Sequence, residues 1–299
     1  MPDPVFSVVI STYNRKDILP RAINSVLGQT FGDFELLVID NGSTDGTEGV
    51  VRAIDDERLK YVKNPTPTDS CDGPRNYGIG MSRGAFISFL DDDDIWYPER
   101  LARMKKAIDE NPGIPAFCHN ENMNVGGAIS KVLRHGPWSD DLYERLMYDG
   151  NCLSTCAVAI RKDVFDSLKG FDLRREFSAA ADYDFWIRMA AEGIKIHFID
   201  EALGEFFLTG ENGSVKDHAY AAKLAFIAGE HISKYEKKSV FGMSRRGLFR
   251  LFKLYAIAAR SSLSAGKVFS AAGNAARACA FLAMRPSMIG DILAKVENG

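Results

Sequence analysis

The densest chemistry in the sequence is Asp91-Asp92-Asp93-Asp94, four carboxylates directly after the apolar run Ala85 to Leu90. Four adjacent anions repel one another. A hard divalent ion such as Mg2+ or Mn2+ relieves that repulsion, because it prefers carboxylate oxygens and accepts phosphate oxygens as further ligands. The plainer reading is an acidic turn capping a helix, since Pro98 suits the first turn of a helix that follows. The elements around the cluster decide between them.

Val5 to Ser11, Phe34 to Ile39, Leu59 to Lys63 and Ala85 to Leu90 read as strands, with helices at about Asp17 to Leu27, Thr47 to Ile54 and Pro74 to Ser82. Such apolar strands alternating with helices indicate a parallel sheet covered on both faces. Ligands of such sheets bind outside the carboxyl ends of the strands. The polar loops after the first, second and fourth strands (Thr12-Tyr13, Asp40 to Asp45, Asp91 to Asp94) fall on that edge together. Downstream, helices are expected at Arg100 to Asp109, Asp140 to Tyr148, Lys162 to Leu168 and Ala180 to Glu192. Strands are expected at Pro115 to Asn120, Ala128 to Arg134, Ser154 to Ile160, Lys195 to Ile199 and Leu203 to Leu208. From Lys216 the pattern is helical, with breaks near Lys238 to Gly242, Ser264 to Gly266 and Arg285-Pro286.

The 299 residues are 46% hydrophobic and 26% charged, which suits a soluble globular protein of one large domain or two smaller ones. No apolar run approaches the roughly 20 residues that span a bilayer. Met1-Pro2-Asp3-Pro4 lacks a basic leader region, so no signal peptide is expected. Five cysteines without zinc-type spacing point to free thiols in a reducing cytosol. The net charge of -3 is uneven: residues 241–299 carry +7, leaving -10 on the rest.

Six blocks together resemble the family-2 glycosyltransferases of the GT-A fold. They are Ser7-Val8-Val9-Ile10-Ser11-Thr12-Tyr13-Asn14-Arg15, Leu37 to Thr47, Arg75-Asn76-Tyr77-Gly78-Ile79, Phe89 to Asp94, Gly170-Phe171-Asp172 and Ala181 to Arg188. The resemblance covers roughly Val5 to Phe206. It implies an α/β, Rossmann-like, mixed but mainly parallel sheet flanked by helices, with a helical C-terminal extension. The expected division is a catalytic domain at 1–215 (nucleotide-sugar half 1–98, acceptor half 99–215) and an extension at 216–299.

The resemblance also implies an inverting transfer of a sugar from a nucleotide diphosphate donor, most simply a UDP-sugar, to an acceptor hydroxyl. The product would be a surface polysaccharide or glycoconjugate. Thr12 and Asp40 would hold the nucleobase, Arg75 would clamp base or diphosphate, and Tyr13, Asp45 and Asp92 would complete the donor site. Asp93 would bind Mn2+ or Mg2+, and Asp91 the ribose or a metal-bound water. Asp182 would be the general base. Such a reaction needs cationic neutralisation of the departing diphosphate and a positioned carboxylate to activate a weakly nucleophilic hydroxyl.

Each role has a structural rival: Thr12 as an N-cap, Asp40 and Asp45 as loop anchors, Asp182 as a charge favoured by a helix N-terminus. Asp184 and Trp186 read as structural, His119 as an ordinary partly buried histidine, and Asn151 to Thr155 as acceptor-side residues or a strand entry. The chain departs from the family pattern in two places. Ala181 stands where many relatives carry Glu. Leu203-Gly204-Glu205 is followed by Phe206-Phe207-Leu208-Thr209, without the usual Arg and His, leaving His218 as the nearest substitute ligand.

Ser244 to Tyr255 mixes basic and bulky apolar residues at helical spacing, read equally as a packed helix or as one lying on an anionic membrane surface. The small residues of Ala256 to Leu282 are compatible with close helix–helix contact or with a homodimer. The expected location is cytoplasmic, with peripheral attachment to the inner face of the cell membrane if the second reading holds. The expected partners are the donor and a saccharide or lipid-linked saccharide acceptor, with no nucleic acid. The rival functions are a haloacid-dehalogenase-type phosphatase with Asp91 as nucleophile and Asp93 as acid/base, and a non-catalytic nucleotide-sugar-binding protein.

Overall fold

The computed structural model describes residues 2–138, 141–209, 219–236 and 243–284. They form two compact units. The first comprises the described parts of Met1–Ser139, Cys152–Leu173 and Arg188–Glu211; the second, those of Asp140–Asn151, Arg174–Ile187 and Asn212–Gly299.

The first unit holds a nine-stranded mixed sheet: β1 (Phe6–Thr12), β2 (Phe34–Asp40), β3 (Leu59–Lys63), β4 (Phe86–Phe89), β5 (Ile95–Trp96), β6 (Ala116–Val125), β7 (Ala128–Leu133), β8 (Val158–Arg161) and β9 (Ile196–Phe207). The order is β3-β2-β1-β4-β8-β6-β9-β5, with β7 paired to β6. The pairs β3·β2, β2·β1, β1·β4 and β6·β9 are parallel; β8 runs antiparallel to both β4 and β6. Every residue of β1 and β2 is buried, which is why these strands show no polar alternation.

Helix α1 (Leu19–Leu27) has Pro20 in its first turn and buries Leu19, Ala22, Ile23 and Val26, one face at helical spacing. That face joins Phe6, Val8, Ile10, Leu36 and Val38 in one core. Then come α2 (Thr47–Arg52), α3 (Asp72–Met81), α4 (Arg100–Glu110), α5 (Leu142–Tyr148), α6 (Lys162–Leu168) and α7 (Ala181–Ala191). A Cβ on Gly78 would lie 2.5 Å from Val9 Cγ1 and 3.2 Å from Ile39 Cγ1, so the glycine lets α3 lie against β1 and β2.

One buried charge ties the parallel strands together. Glu35 on β2 accepts hydrogen bonds from Ser7 Oγ on β1 (2.7 Å), Lys60 Nζ on β3 (2.9 Å), and Arg83 backbone N (2.7 Å) and Nε (3.2 Å) ahead of β4. Burial alone would raise its pKa. Lys60, the Arg83 amide and Ser7 outweigh burial and hold the carboxyl at about 2. A depressed carboxyl stabilises the fold above its ordinary pKa of 4.5, and the contribution is lost as pH falls through about 2. Glu35→Gln is expected to lower stability by about 2 kcal/mol, because Lys60 and Arg83 are themselves partly exposed. In urea melts, the gap between wild type and variant should narrow as pH drops from 4.5 toward 2.

The second unit contains α5, the start of α7, and three further helices: α8 (Tyr220–Tyr235), α9 (Arg245–Ser264) and α10 (Val268–Met284). Buried Asp184 on α7 accepts from His231 Nε2 on α8 at 2.8 Å, and Tyr183 donates to Leu146 O on α5 at 2.6 Å. Leu248, Leu251, Leu254 and Ala258 bury one face of α9. That apolar stripe of Ser244 to Tyr255 is therefore taken up by packing. The break expected at Ser264 to Gly266 lies between α9 and α10, with Gly266 in the left-handed region at φ 72°.

Two expectations are corrected, and one strand is added. The two strands expected at Lys195 to Ile199 and Leu203 to Leu208 are one, β9. Its pairing with β6 jumps from His119↔Ile199 to Asn120↔Ala202, so polar Asp200-Glu201 is absorbed as an irregularity. Two-residue β5, unread in the sequence, pairs with β9 at Trp96↔Gly204. His119 is fully buried: its Nδ1 faces Asn120 O (2.7 Å) and must donate, and its Nε2 accepts from Arg100 Nε (3.2 Å). The breaks expected at Lys238 to Gly242 and Arg285-Pro286 lie outside the described residues, as does His218.

Candidate active site

β1, β2 and β4 are parallel, so their carboxyl ends share one edge of the sheet. The three loops leaving that edge are interlocked by side chains. Thr12 Oγ1 donates to Asp92 Oδ2 at 2.8 Å, tying the first loop to the acidic one. Asn14 Oδ1 accepts from Thr44 N at 2.8 Å, Asp45 Oδ2 from Lys16 N at 3.1 Å, and Thr47 Oγ1 from Arg15 N at 3.3 Å, tying the first loop to the second. Asn14 occupies the left-handed region at φ 53°, a conformation asparagine tolerates better than most residues.

Asp40 is buried. Its Oδ1 accepts from Gly42 N (3.0 Å) and Ser43 N (2.7 Å), and its Oδ2 from Tyr61 OH (2.5 Å). In this geometry it anchors its loop. Asp45 does likewise, accepting from Thr47 N and Oγ1. Tyr13 is 56% exposed, with its ring presented to solvent.

The four aspartates have four environments. Asp91 pairs through Oδ1 with Arg75 Nη2; Arg75 is buried and also contacts Asp72 at 3.4 Å. Asp92 meets Thr12 and lies 3.9 Å from Arg15 Nε. The carbonyl of Asp93 accepts from Arg21 Nη2 on α1. Buried Asp94 accepts from Phe207 N at the end of β9 (2.8 Å) and from Cys156 Sγ (3.4 Å).

Burial pushes the Asp92 carboxyl up to about 7; the Thr12 hydrogen bond opposes this and the Asp93 charge adds to it. Burial and then the Asp91 charge push Asp93 up to about 6. Asp94 is raised well above the ordinary range by burial, then by Asp91 and Asp93. Burial thus favours the protonated form of these carboxyls, and a divalent cation that replaces those protons fits the loop. Among the described residues, the His, Cys, Asp and Glu ligand atoms that cluster closely belong to Asp91, Asp94 and Cys156, all within 4.8 Å of one another. Asp93 is not in that group. Burial raises the Cys156 thiol well above its usual pKa, so it stays protonated and serves as a donor to Asp94. The carboxylates are then the ligands suited to a hard ion.

The sequence places Asp94 in the acidic loop without a role of its own, and gives no sign of Cys156, Arg21 or Phe207 as parts of this site. Glu205 is followed by neither Arg nor His; there Phe207, the last residue of β9, reaches the acidic loop by its backbone N–H. The cation beside it comes from α1: the Arg21 guanidinium lies 3.8 Å over the Phe207 ring. Gly204 permits the crossing of β5 and β9, because a Cβ there would lie 2.7 Å from Ile95 O.

The Gly170-Phe171 block is a structural clamp. Asn76 Nδ2 donates to Phe171 O (2.8 Å) and Phe171 N to Asn76 Oδ1 (2.9 Å), while Arg188 donates to Leu168 O (2.6 Å) and Gly170 O (2.9 Å). Asp182 stands in the first turn of α7, in the second unit. Its Oδ1 accepts from Tyr183 N at 2.8 Å and its Oδ2 from Asn151 Nδ2 at 3.2 Å. Trp186 is fully buried core.

Residues 7–169 match the model of glycosyl transferase family 2. The chain is 30% identical over 198 residues to the Escherichia coli K12 protein named "Putative colanic acid biosynthesis glycosyl transferase WcaA", covering 64% of this chain and 67% of that one. It is 25% identical over 189 residues to the Escherichia coli UDP-Glc:alpha-D-GlcNAc-diphosphoundecaprenol beta-1,3-glucosyltransferase WfaP, covering 63% of this chain and 71% of that one. Against several other curated relatives the match spans only 30% to 53% of their length. Among solved structures, mannosyltransferase PcManGT from Pyrobaculum calidifontis in complex with GDP-Man and Mn2+ superposes with a TM-score of 0.57 at 18% identity, over 98% of this chain and 82% of that one. The architecture is accordingly the GT-A fold expected from the blocks, and the phosphatase reading is set aside. A mostly parallel sheet with its acidic loop at the carboxyl edge and a family match over more than half the sequence lead to one assignment: the chain belongs to glycosyl transferase family 2.

Proposed function

We propose that the protein is a metal-dependent inverting glycosyltransferase that moves a sugar from a UDP-sugar to a lipid-linked saccharide. The observation that carries this reading is the run of four aspartates at Asp91 to Asp94, interlocked with two other loops at the carboxyl edge of the sheet. The donor and acceptor classes are those in the name of the WfaP relative, and Mn2+ accompanies the nucleotide sugar in the PcManGT complex.

In this reading Asp93, with Asp91 directly or through water, would hold Mn2+ or Mg2+. The ion would neutralise charge on the departing diphosphate. Thr12 and Asp40 would lie beside the base, Asp40 also anchoring its loop through Gly42 N, Ser43 N and Tyr61 OH. Tyr13 offers its exposed ring for stacking, and Asp45 and Asp92 hold the loops in register. Arg75 supplies a permanent planar cation beside the diphosphate. Asp182 takes the proton from the attacking acceptor hydroxyl, with Asn151 fixing its carboxylate. Attack on the face opposite the leaving group inverts the anomeric carbon.

The test is a thermal-shift panel of UDP-, GDP- and dTDP-sugars with Mn2+ or with EDTA. A ligand that binds only the native state raises the melting temperature. A UDP-sugar with Mn2+ should give the largest rise, and EDTA should remove most of it. No rise with any nucleotide sugar, or a rise indifferent to EDTA, would contradict the reading.

A further inference from the structure

The turn between α9 and α10 exposes a cluster of apolar side chains. Phe269 is 96% exposed, Leu263 and Val268 each 62%, and Ile257, further back on α9, 47%. Exposed apolar residues of this size, clustered on one hairpin, call for a covering partner. Charge identifies that partner. From Arg245 to Met284 the two helices and the turn between them carry seven Lys and Arg residues and no Asp or Glu. Arg246 pairs with Glu144, Arg250 is buried, and Arg277 lies against the Tyr255 ring. Lys253, Arg260 and Lys267 are exposed and in no ion pair among the described residues. Lys253, Ile257, Arg260 and Ser264 recur along one exposed side of α9, leading to the tip.

We infer that this hairpin docks on an anionic lipid surface, with Phe269, Val268 and Leu263 entering the headgroup–acyl boundary and Lys253, Arg260 and Lys267 meeting the lipid headgroups. An apolar wedge flanked by cations suits an interface that is apolar inside and negatively charged outside. The surface is therefore the hairpin tip, not the apolar stripe of Ser244 to Tyr255, which is buried. The inference deepens the reading of a lipid-linked acceptor, since it would hold the enzyme where such an acceptor lies.

The experiment is co-sedimentation of the full chain with phosphatidylcholine vesicles, with and without phosphatidylglycerol, in the absence of donor and acceptor. Its outcome is therefore independent of whether the protein transfers sugar. Wild type should sediment with the anionic vesicles, less so at high salt. A Val268→Asp, Phe269→Asp variant and a Lys253→Glu, Arg260→Glu, Lys267→Glu variant should each bind at least tenfold more weakly. Unchanged circular dichroism, expected for exposed positions, would show that both remain folded. Equal binding to neutral vesicles, variants that bind like wild type, or a wild type that ignores vesicles and instead forms dimers abolished by Phe269→Asp would overturn the inference.

Discussion

Asp93→Asn is expected to lower kcat/KM for sugar transfer by roughly a hundredfold to a thousandfold, the rate equivalent of several kcal/mol of charge stabilisation. The substitution keeps the shape of the side chain and leaves the Asp93 carbonyl to Arg21, so the loop should fold as before. What changes is the charge available to an ion. The thermal rise given by a UDP-sugar with Mn2+ should shrink to the level seen with EDTA. By contrast, Asp94→Asn should act through structure: Asp94 is buried against Phe207 N and Cys156, and its amide would still accept from one of them. A loss of activity in Asp94→Asn matching that in Asp93→Asn, with metal binding intact in both, would remove Asp93 from the metal role.

The second large effect is expected at Asp182. Asp182→Asn should reduce turnover by roughly a hundredfold to ten-thousandfold, the usual worth of a general base, while affinity for UDP and Mn2+ stays within experimental error. The side chain accepts from Tyr183 N and Asn151 Nδ2, and an asparagine can keep one acceptor oxygen for either, so stability should change little. Asn151→Ala should act through orientation alone, lowering kcat by about tenfold with an unchanged KM for donor. Full turnover in Asp182→Asn would show that the base is another group.

The parallel half of the sheet could be read from composition because β1 and β2 are buried on both faces, leaving unbroken apolar runs with polar loops at one end. The acidic loop was visible for the same reason: a charged run after a buried strand has one place to go. β9 was read as two strands because Asp200-Glu201 interrupts an apolar pattern, and only its pairing with β6 reveals that the backbone continues. β5 is two residues long and leaves no period to detect. Cys156, Arg21 and Phe207 could not be found in the sequence because each reaches the acidic loop from a distant element, and long-range approach leaves no local signature. The basic stretch after Ser244 was ambiguous because packed and membrane-lying helices share one periodicity. Burial separates them, assigning Leu248, Leu251 and Leu254 to packing and leaving Phe269 and Val268 in solvent.

If the Asp91 to Asp94 loop holds a cation that neutralises the donor diphosphate, as proposed, isothermal titration of UDP reads that contribution directly. UDP should bind wild type at least tenfold more tightly in Mn2+ than in EDTA, and the difference should vanish in Asp93→Asn while metal-free UDP affinity is retained. UDP affinity that is the same in Mn2+ and EDTA for wild type, or a Mn2+ gain that survives in Asp93→Asn, would contradict the account.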